Sequence, residues 1–143
     1  MIRKIDDHTS VAPQISPEEV AAIAKAGFAE IVNNRPDDEE PGQPSGAEIA
    51  AAAAEAGIAY RAIPVGHSGF SGNQVEAMAQ ALTAASGPVL AFCRSGTRSA
   101  HLWALARARM GDDPAVLTAK AAGAGYDIGG IRAMLDTLVS GAK

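Results

Sequence analysis

The residues of this sequence best suited to chemistry follow one short apolar run. Cys93 comes directly after residues 88–92 (PVLAF) and opens the segment 93–99 (CRSGTRS). A loop between a buried strand and a helix can turn its backbone N–H groups inward and bind an anion, helped by the positive end of the helix dipole. Arg94 and Arg98 add two permanent positive charges. The segment therefore predicts an anion-binding loop.

Most lone cysteines are buried and inert, so the surroundings of Cys93 decide its interpretation. A cysteine at a helix N-terminus or beside arginine favours the thiolate form, which is the nucleophilic one. We therefore predict that Cys93 and Arg98 are catalytic. Ser99 is placed to donate to the thiolate or to cap the helix. The predicted anion-binding loop consists of Arg94, Ser95, Gly96, Thr97, Arg98 and Ser99.

Two other loops are expected at the same edge of the sheet. Arg35 and Asp37 follow a predicted strand, and they either form a wall of the pocket or pair with each other to brace a proline-rich loop. Asn34 is a further candidate for the pocket wall, although an asparagine there also satisfies backbone groups in a turn. His67 lies in a glycine-rich loop and either lines the pocket or is a solvated surface residue.

The acidic run that follows Arg35 is predicted to be a solvated loop face. Its residues are Asp37, Asp38, Glu39 and Glu40. Tyr126 and Asp127 are predicted to start the last helix, with Asp127 as its cap.

Composition limits the class of protein. The chain has 143 residues, of which 48% are hydrophobic and 20% are charged, as expected for one folded domain spanning residues 1–143. The net charge of −4 argues against nucleic-acid binding. One cysteine and three histidines without metal-ligand spacing predict no metal site. No signal peptide and no apolar stretch of about 20 residues is present, which predicts a cytoplasmic protein without a membrane segment.

Short β-like runs alternate with alanine-rich helical runs. Strands are predicted over residues 2–5, 9–12, 28–33, 58–65 and 88–92. Helices are predicted to begin at the capping residues Ser16, Ser45 and Ser71, and to cover residues 99–110, 113–122 and 128–139. This alternation predicts a three-layer α/β fold with a mostly parallel sheet of four to five strands and helices on both faces. In such a sheet ligands bind at the carboxyl ends of the strands, where Cys93 lies.

The segment 93–99 resembles the active-site loop of rhodanese-type sulfurtransferases, in which six residues, here 93–98, surround a cysteine persulfide. Four segments together resemble a bacterial family first described as a domain of unknown function, the phosphatase-like domain of beta-lactamase hydrolase-like proteins. They are residues 11–16 (VAPQIS), 33–45 (NNRPDDEEPGQPS), 62–65 (AIPV) and 93–99 (CRSGTRS). The resemblance spans roughly residues 2–138 and implies the fold of dual-specificity and tyrosine phosphatases. It also implies a link to sulfide oxidation, since members occur fused to a persulfide dioxygenase.

Three features favour a sulfurtransferase over a phosphatase. Phosphatases of this fold use Cys-x5-Arg, whereas Cys93 and Arg98 form Cys-x4-Arg. They have histidine before the cysteine, where this chain has Phe92. They also carry an aspartic general acid in the loop that corresponds to residues 66–72, which contain neither Asp nor Glu. Loss of a general acid lowers the rate about 10²–10⁴-fold. His67, Asp37 or Asp38 are the groups that could replace it.

The leading prediction is therefore a sulfurtransferase without metal or organic cofactor. Cys93 takes sulfane sulfur from a small anionic donor, thiosulfate or a persulfide, and the resulting persulfide passes it to a thiol or to cyanide. A persulfide dioxygenase is the predicted protein partner. One alternative is a cysteine-based phosphatase with a shortened loop. A second alternative is an anion-binding module without catalytic activity.

Overall fold

A five-stranded sheet lies at the centre of the fold in the computed structural model, which describes residues 1–142. Its strands lie in the order β1-β2-β5-β3-β4, with β1 antiparallel to β2 and the other neighbours parallel. The predicted mixed, mostly parallel sheet is confirmed, and so is the central position of the strand that precedes Cys93. The strands are β1 (Arg3–Lys4), β2 (Thr9–Ala12), β3 (Glu30–Asn33), β4 (Ala59–Ala62) and β5 (Val89–Phe92).

Two apolar clusters, one on each face of the sheet, make the three layers. One face packs against α1 and α2, and the other packs against α3 to α6. Within residues 1–142, none of the helices combines the length and the apolarity that crossing a bilayer requires. The helices are α1 (Val20–Lys25), α2 (Gly46–Ala56), α3 (Gly72–Ala84), α4 (Thr97–Arg109), α5 (Pro114–Gly123) and α6 (Arg132–Gly141), and 3-10 turns cover Pro17–Glu19 and Gly129–Ile131.

Local capping chemistry sets most helix starts where the sequence predicts them. The side chains of Ser16, Ser45 and Ser71 each accept a hydrogen bond from the backbone three residues on, and each forms a capping box. Two predicted helices are shorter than expected, because their first turns are 3-10 turns. The helix after Cys93 begins earlier than predicted, since Gly96 rather than Ser99 is its N-cap.

Strand register brings three loops to one edge of the sheet. Phe92, the last residue of β5, pairs with Ala12 of β2 and with Asn33 of β3. Asn33 in turn pairs with Ala62 of β4. The residues that follow these strands therefore emerge side by side, as expected for parallel strands, and Cys93 lies among them.

Side chains in the smaller cluster determine much of the stability of this edge. Ile49 of α2 is fully buried there, beneath β3 and β5. We expect Ile49→Ala to lower the free energy of unfolding by about 2–5 kcal/mol, because it leaves a cavity. The control is Val116→Ala, since Val116 is 45% exposed and its truncation is expected to change stability by less than about 0.5 kcal/mol. Urea unfolding measures both, and equal losses would contradict the prediction.

Candidate active site

The loop after β5 surrounds the sulfur of Cys93. The Gly96 backbone N–H donates to Cys93 Sγ with an N···S distance of 3.1 Å. Gly96 has a φ of 93°, in the left-handed region that favours glycine, and it caps α4. The positive end of the α4 dipole therefore lies beside Sγ, where it stabilises negative charge on the sulfur or on a bound oxyanion. Cys93 is fully buried.

Arg98 is held so that one edge of its guanidinium donates to no protein oxygen. Its Nη1 and Nη2 donate to the two carboxylate oxygens of Glu39 at 2.7 and 2.8 Å, and Nη1 also donates to the carbonyl of Val65 at 2.7 Å. These bonds leave Nε–H and the second hydrogen of Nη2, a side-on pair suited to two oxygens of an oxyanion. Pairing with Glu39 raises the pKa of Arg98 against the effect of burial, and Cys93 adds to the rise.

Glu39 joins two arginines at the centre of the site. Its Oε1 also accepts a hydrogen bond from Arg35 Nε at 2.8 Å. Hydrogen bonding to Arg98 is the largest cause, ahead of Arg35, of a pKa lowered from 4.5 to about 2. Glu39 is therefore ionised at neutral pH, and it positions the arginines rather than serving as a general acid. The predicted solvated face is wrong at this residue, because its side chain turns inward and is only 13% exposed.

Arg35 is the second arginine of this cluster, and it is nearly fully buried. Its guanidinium donates to Glu39, to Glu40 Oε1 at 2.9 Å and to Gln14 Oε1 at 3.1 Å. Burial alone would lower the pKa of Arg35, but its hydrogen bonds to Glu39 and Glu40, together with their negative charges, outweigh burial and raise the pKa. Arg35 thus stabilises the conformation of the loop that carries Glu39 and Glu40.

The predicted pair between Arg35 and Asp37 does not form. Asp37 is exposed, and its Oδ1 accepts the Gly46 N–H at 2.8 Å. That N–H belongs to the first turn of α2, where backbone donors have no partner within the helix. Asp37 therefore stabilises the start of α2.

Asn34 satisfies a backbone carbonyl, which is one of its two predicted roles, whereas Ser99 takes neither of its predicted roles. The Ser99 hydroxyl donates to Asn34 Oδ1 at 2.8 Å, and Asn34 Nδ2 donates to the Ile63 carbonyl at 3.0 Å. Both side chains are buried. Ser99 neither caps α4 nor donates to the thiolate, because Gly96 is the N-cap and the single hydroxyl hydrogen of Ser99 is donated to Asn34. The pair ties α4 to the ends of β3 and β4 and so supports the loop from behind.

The remaining predicted residues lie on the exposed rim. Arg94 is 64% exposed at its side chain, and its Nη2 lies 3.6 Å from Glu40 Oε2. The exposed Ser95 and Thr97 bond to each other, with 2.9 Å between their hydroxyl oxygens. The His67 side chain is 83% exposed, and its Nε2 lies 3.5 Å from Glu39 Oε2. His67 is therefore both a surface residue and a neighbour of the arginine cluster.

Sequence reasoning missed Gln14, Glu39 and Tyr126. Gln14 and Glu39 lie inside two of the segments that carry the family resemblance, 11–16 and 33–45, so those segments held a signal for them. No sequence signal pointed to Tyr126. Its hydroxyl donates a 3.3 Å hydrogen bond to the carbonyl of Ser95, which lies 31 residues away along the chain. Over residues 1–142, no group of three His, Cys, Asp or Glu side chains is arranged to hold a metal ion.

The lowered pKa of Glu39 makes the contribution of this cluster to stability pH-dependent. A carboxylate with a depressed folded-state pKa stabilises the fold above its unfolded pKa, near 4.5, and loses that effect as the pH falls towards about 2. We expect Glu39→Gln to lower the free energy of unfolding at pH 7. The difference in this free energy between the variant and the wild type is expected to shrink as the pH falls from 4.5 towards about 2. Urea unfolding from pH 7 to pH 3 tests this, with Glu55→Gln on the exposed face of α2 as control. A difference that stays constant over that range would contradict it.

Solved structures similar to this chain confirm the predicted fold and contradict the predicted sulfurtransferase reaction. The chain is similar to a proposed phosphatase from Neisseria meningitidis, with 35% identity, a TM-score of 0.82 and coverage of 96% of this chain and 97% of that one. It also shares the fold of TpbA from P. aeruginosa, with 21% identity, a TM-score of 0.65 and coverage of 99% of this chain and 84% of that one. The predicted phosphatase-like fold is confirmed.

The prediction of a sulfurtransferase is wrong, because the matching family model is a phosphatase-like domain and the 35% identical structure is a proposed phosphatase. The likeness to rhodanese-type enzymes is limited to the spacing of Cys93 and Arg98. The short spacing between Cys93 and Arg98 does not exclude a phosphate ligand. The Nε and Nη2 edge of Arg98 donates to no protein oxygen and is available to two phosphate oxygens. The sulfur donor and the thiol or cyanide acceptor belonged to the rejected reaction, whereas the dioxygenase partner, which the family resemblance implied, stays a prediction.

The curated relatives are longer proteins. A Beta-lactamase hydrolase-like protein of Xylella fastidiosa is 37% identical over 101 residues, which are 71% of this chain and 23% of that protein. One from Agrobacterium fabrum is 36% identical over 105 residues, 73% of this chain and 24% of that protein. This chain therefore corresponds to about a quarter of each relative. The model of the beta-lactamase hydrolase-like protein, phosphatase-like domain, matches residues 1–110, and the chain belongs to that family.

Proposed function

We propose that this chain is a cysteine-dependent phosphatase that hydrolyses phosphate monoesters through a cysteinyl-phosphate intermediate. The observation that carries the proposal is the side-on edge of Arg98, which donates to no protein oxygen and is held by Glu39 and Val65 beside the sulfur of Cys93. Family membership and the 35% identical proposed phosphatase support it. The site thus offers a nucleophile and a fork of donors to one phosphoryl group.

The first step transfers the phosphoryl group to sulfur. The Cys93 thiolate attacks phosphorus, the S–P bond forms, and the ester P–O bond breaks with its electron pair going to the leaving oxygen. Nε and Nη2 of Arg98 bind two of the non-bridging oxygens, and the Gly96 N–H contributes a donor from the loop. These donors are in place before the reaction, so little reorganisation is needed as charge develops.

The second step releases phosphate. Water attacks phosphorus, the P–O bond forms, and the P–S bond breaks to return the thiolate of Cys93. The proton of the attacking water leaves with inorganic phosphate or with the base that accepted it. No redox change occurs in either step.

The leaving oxygen needs a proton unless it departs as a stable anion. Glu39 cannot supply it, because its pKa of about 2 leaves it ionised, and residues 66–72 hold no carboxylate. His67 is the titratable side chain of that loop, and it lies 3.5 Å from Glu39 Oε2 at the exposed rim. The protonated imidazole of His67 is therefore the proposed general acid.

Variants of the nucleophile and of the fork test the function. We expect Cys93→Ser to abolish hydrolysis of p-nitrophenyl phosphate. We expect Arg98→Lys to lower kcat/KM about 10²–10³-fold, because lysine keeps the charge and loses the planar pair of donors. The control is Arg132→Lys, since Arg132 pairs with Asp136 on the exposed face of α6. Full activity of Cys93→Ser, or no hydrolysis by the wild type, would sink the proposal.

The role of His67 is tested by the choice of leaving group. We expect His67→Ala to lower kcat/KM for phenyl phosphate about 10²–10⁴-fold, the range for a general acid, and to change the rate with p-nitrophenyl phosphate much less. The better leaving group departs without a proton. His8→Ala, at an exposed residue between β1 and β2, is the control. Equal losses with both substrates would show that His67 is not the acid.

A further inference from the structure

One peptide unit connects Tyr126 to the sulfur of Cys93. The hydroxyl of Tyr126 donates to the Ser95 carbonyl at 3.3 Å. The N–H of the same peptide, that of Gly96, donates to Cys93 Sγ at 3.1 Å. Carbonyl and N–H of a trans peptide lie in one plane and point in opposite directions. Holding the carbonyl therefore fixes the direction in which the N–H points.

The ring of Tyr126 also packs directly on this peptide. A Cβ at Gly96 would overlap the Tyr126 side chain, with its hydroxyl oxygen only 2.2 Å away and its Cζ 2.9 Å away. The tyrosine thus fills the space that a side chain at this position would need. Two features restrict this position to glycine: its φ of 93° and the lack of space beside the aromatic ring of Tyr126.

We propose that Tyr126 is a positioning residue for Cys93, acting through the Ser95–Gly96 peptide in the phosphatase reaction proposed above. A hydrogen bond to a carbonyl strengthens the donor at the other end of the same peptide, because chains of hydrogen bonds polarise one another. Tyr126 therefore both aims and strengthens the donor that stabilises the thiolate. The residue lies beyond the part of the chain that the family model matches, which ends at residue 110.

The charges around the sulfur do not change when the hydroxyl of Tyr126 is removed. Burial raises the pKa of Tyr126, with Arg3 of β1 opposing and the charge of Cys93 adding to the rise, so the phenol is neutral at neutral pH. The charged groups on the other elements are Arg98 on α4, paired with Glu39, and Arg94 on the loop. A change in the ionisation of Cys93 in Tyr126→Phe therefore comes through the peptide and not through a lost charge.

Alkylation of Cys93 tests the proposal without phosphatase turnover. Cys93 is the one cysteine of the chain, so iodoacetamide modification, followed by intact mass, reports this thiol alone, and the midpoint of its pH–rate profile reports its ionisation. We expect Tyr126→Phe to shift the midpoint of the pH–rate profile upward by about 0.5 to 1 unit, the size expected for one neutral hydrogen bond. At a pH below the midpoint this corresponds to a rate about three- to tenfold lower when each rate is divided by the plateau rate of the same variant at high pH.

The control is Tyr60→Phe, which removes a hydroxyl that accepts from Asn33 Nδ2 at 3.1 Å and makes no contact with the loop. It is expected to keep the wild-type midpoint. Thermal unfolding of both variants checks that each remains folded. A folded Tyr126→Phe with the wild-type midpoint, or an equal shift in Tyr60→Phe, would overturn the proposal.

A kinetic measurement separates this proposal from the proposed function. If the wild type hydrolyses p-nitrophenyl phosphate, we expect Tyr126→Phe to lower kcat/KM about three- to tenfold and to shift the acidic limb of its pH profile by the same amount as the alkylation midpoint. An unshifted acidic limb would contradict the positioning role. If the wild type hydrolyses no phosphate ester, the proposed function fails, and the alkylation profile still decides the role of Tyr126.

Discussion

The carboxylate of Glu39 between two guanidinium groups is the interaction on which the arrangement of the site depends. One oxygen is shared between Arg35 and Arg98, and the second completes an end-on pair with Arg98. An ionised carboxylate and a buried guanidinium are costly to desolvate unless each is paired. The pairing lowers the pKa of Glu39 to about 2, so its charge is kept at any ordinary pH.

This pairing decides what Arg98 can do. With its Nη1 and Nη2 ends held by Glu39 and the Val65 carbonyl, the guanidinium cannot rotate freely, and its side-on edge stays in one orientation. An arginine restrained in this way loses less side-chain entropy when it binds an oxyanion. Since Glu39 comes from the loop after β3 and Val65 from the segment after β4, the orientation of Arg98 depends on elements far from it in the chain.

The loop around Cys93 is supported on two sides by neutral hydrogen bonds. Behind it, the buried Ser99 and Asn34 tie α4 to β3, and at its rim Tyr126 holds the Ser95 carbonyl. Residues 37–40 after β3, residues 93–98 after β5 and the segment after α5 thus meet at one edge of the sheet. The site has a rigid base of buried pairs and an exposed rim that carries His67, Arg94 and Ser95. Such a division is suited to a reaction whose donors must be fixed while substrate and product exchange.

Contiguous residues were enough to predict the alternation of strands and helices, the capping boxes at Ser16, Ser45 and Ser71, and the position of Cys93 at the carboxyl end of a strand. These features depend on residues close together in the chain, so local propensity and spacing reveal them. The family resemblance also lay in contiguous segments. It pointed to the phosphatase-like fold, although three local features led to the wrong reaction: the spacing of Cys93 and Arg98, Phe92 before the cysteine, and the lack of a carboxylate in residues 66–72.

The identity of the polar residues that meet at the site depends instead on long-range packing. Glu39 and Arg98 are 59 residues apart, and Tyr126 and Ser95 are 31 apart. The four acidic residues 37–40 were predicted to form one solvated face. In the structure Asp37 binds the start of α2, whereas Glu39 binds the arginines. The physical reason is that such contacts depend on strand register and loop conformation, and these are settled by packing of the whole sheet rather than by the neighbours of each residue.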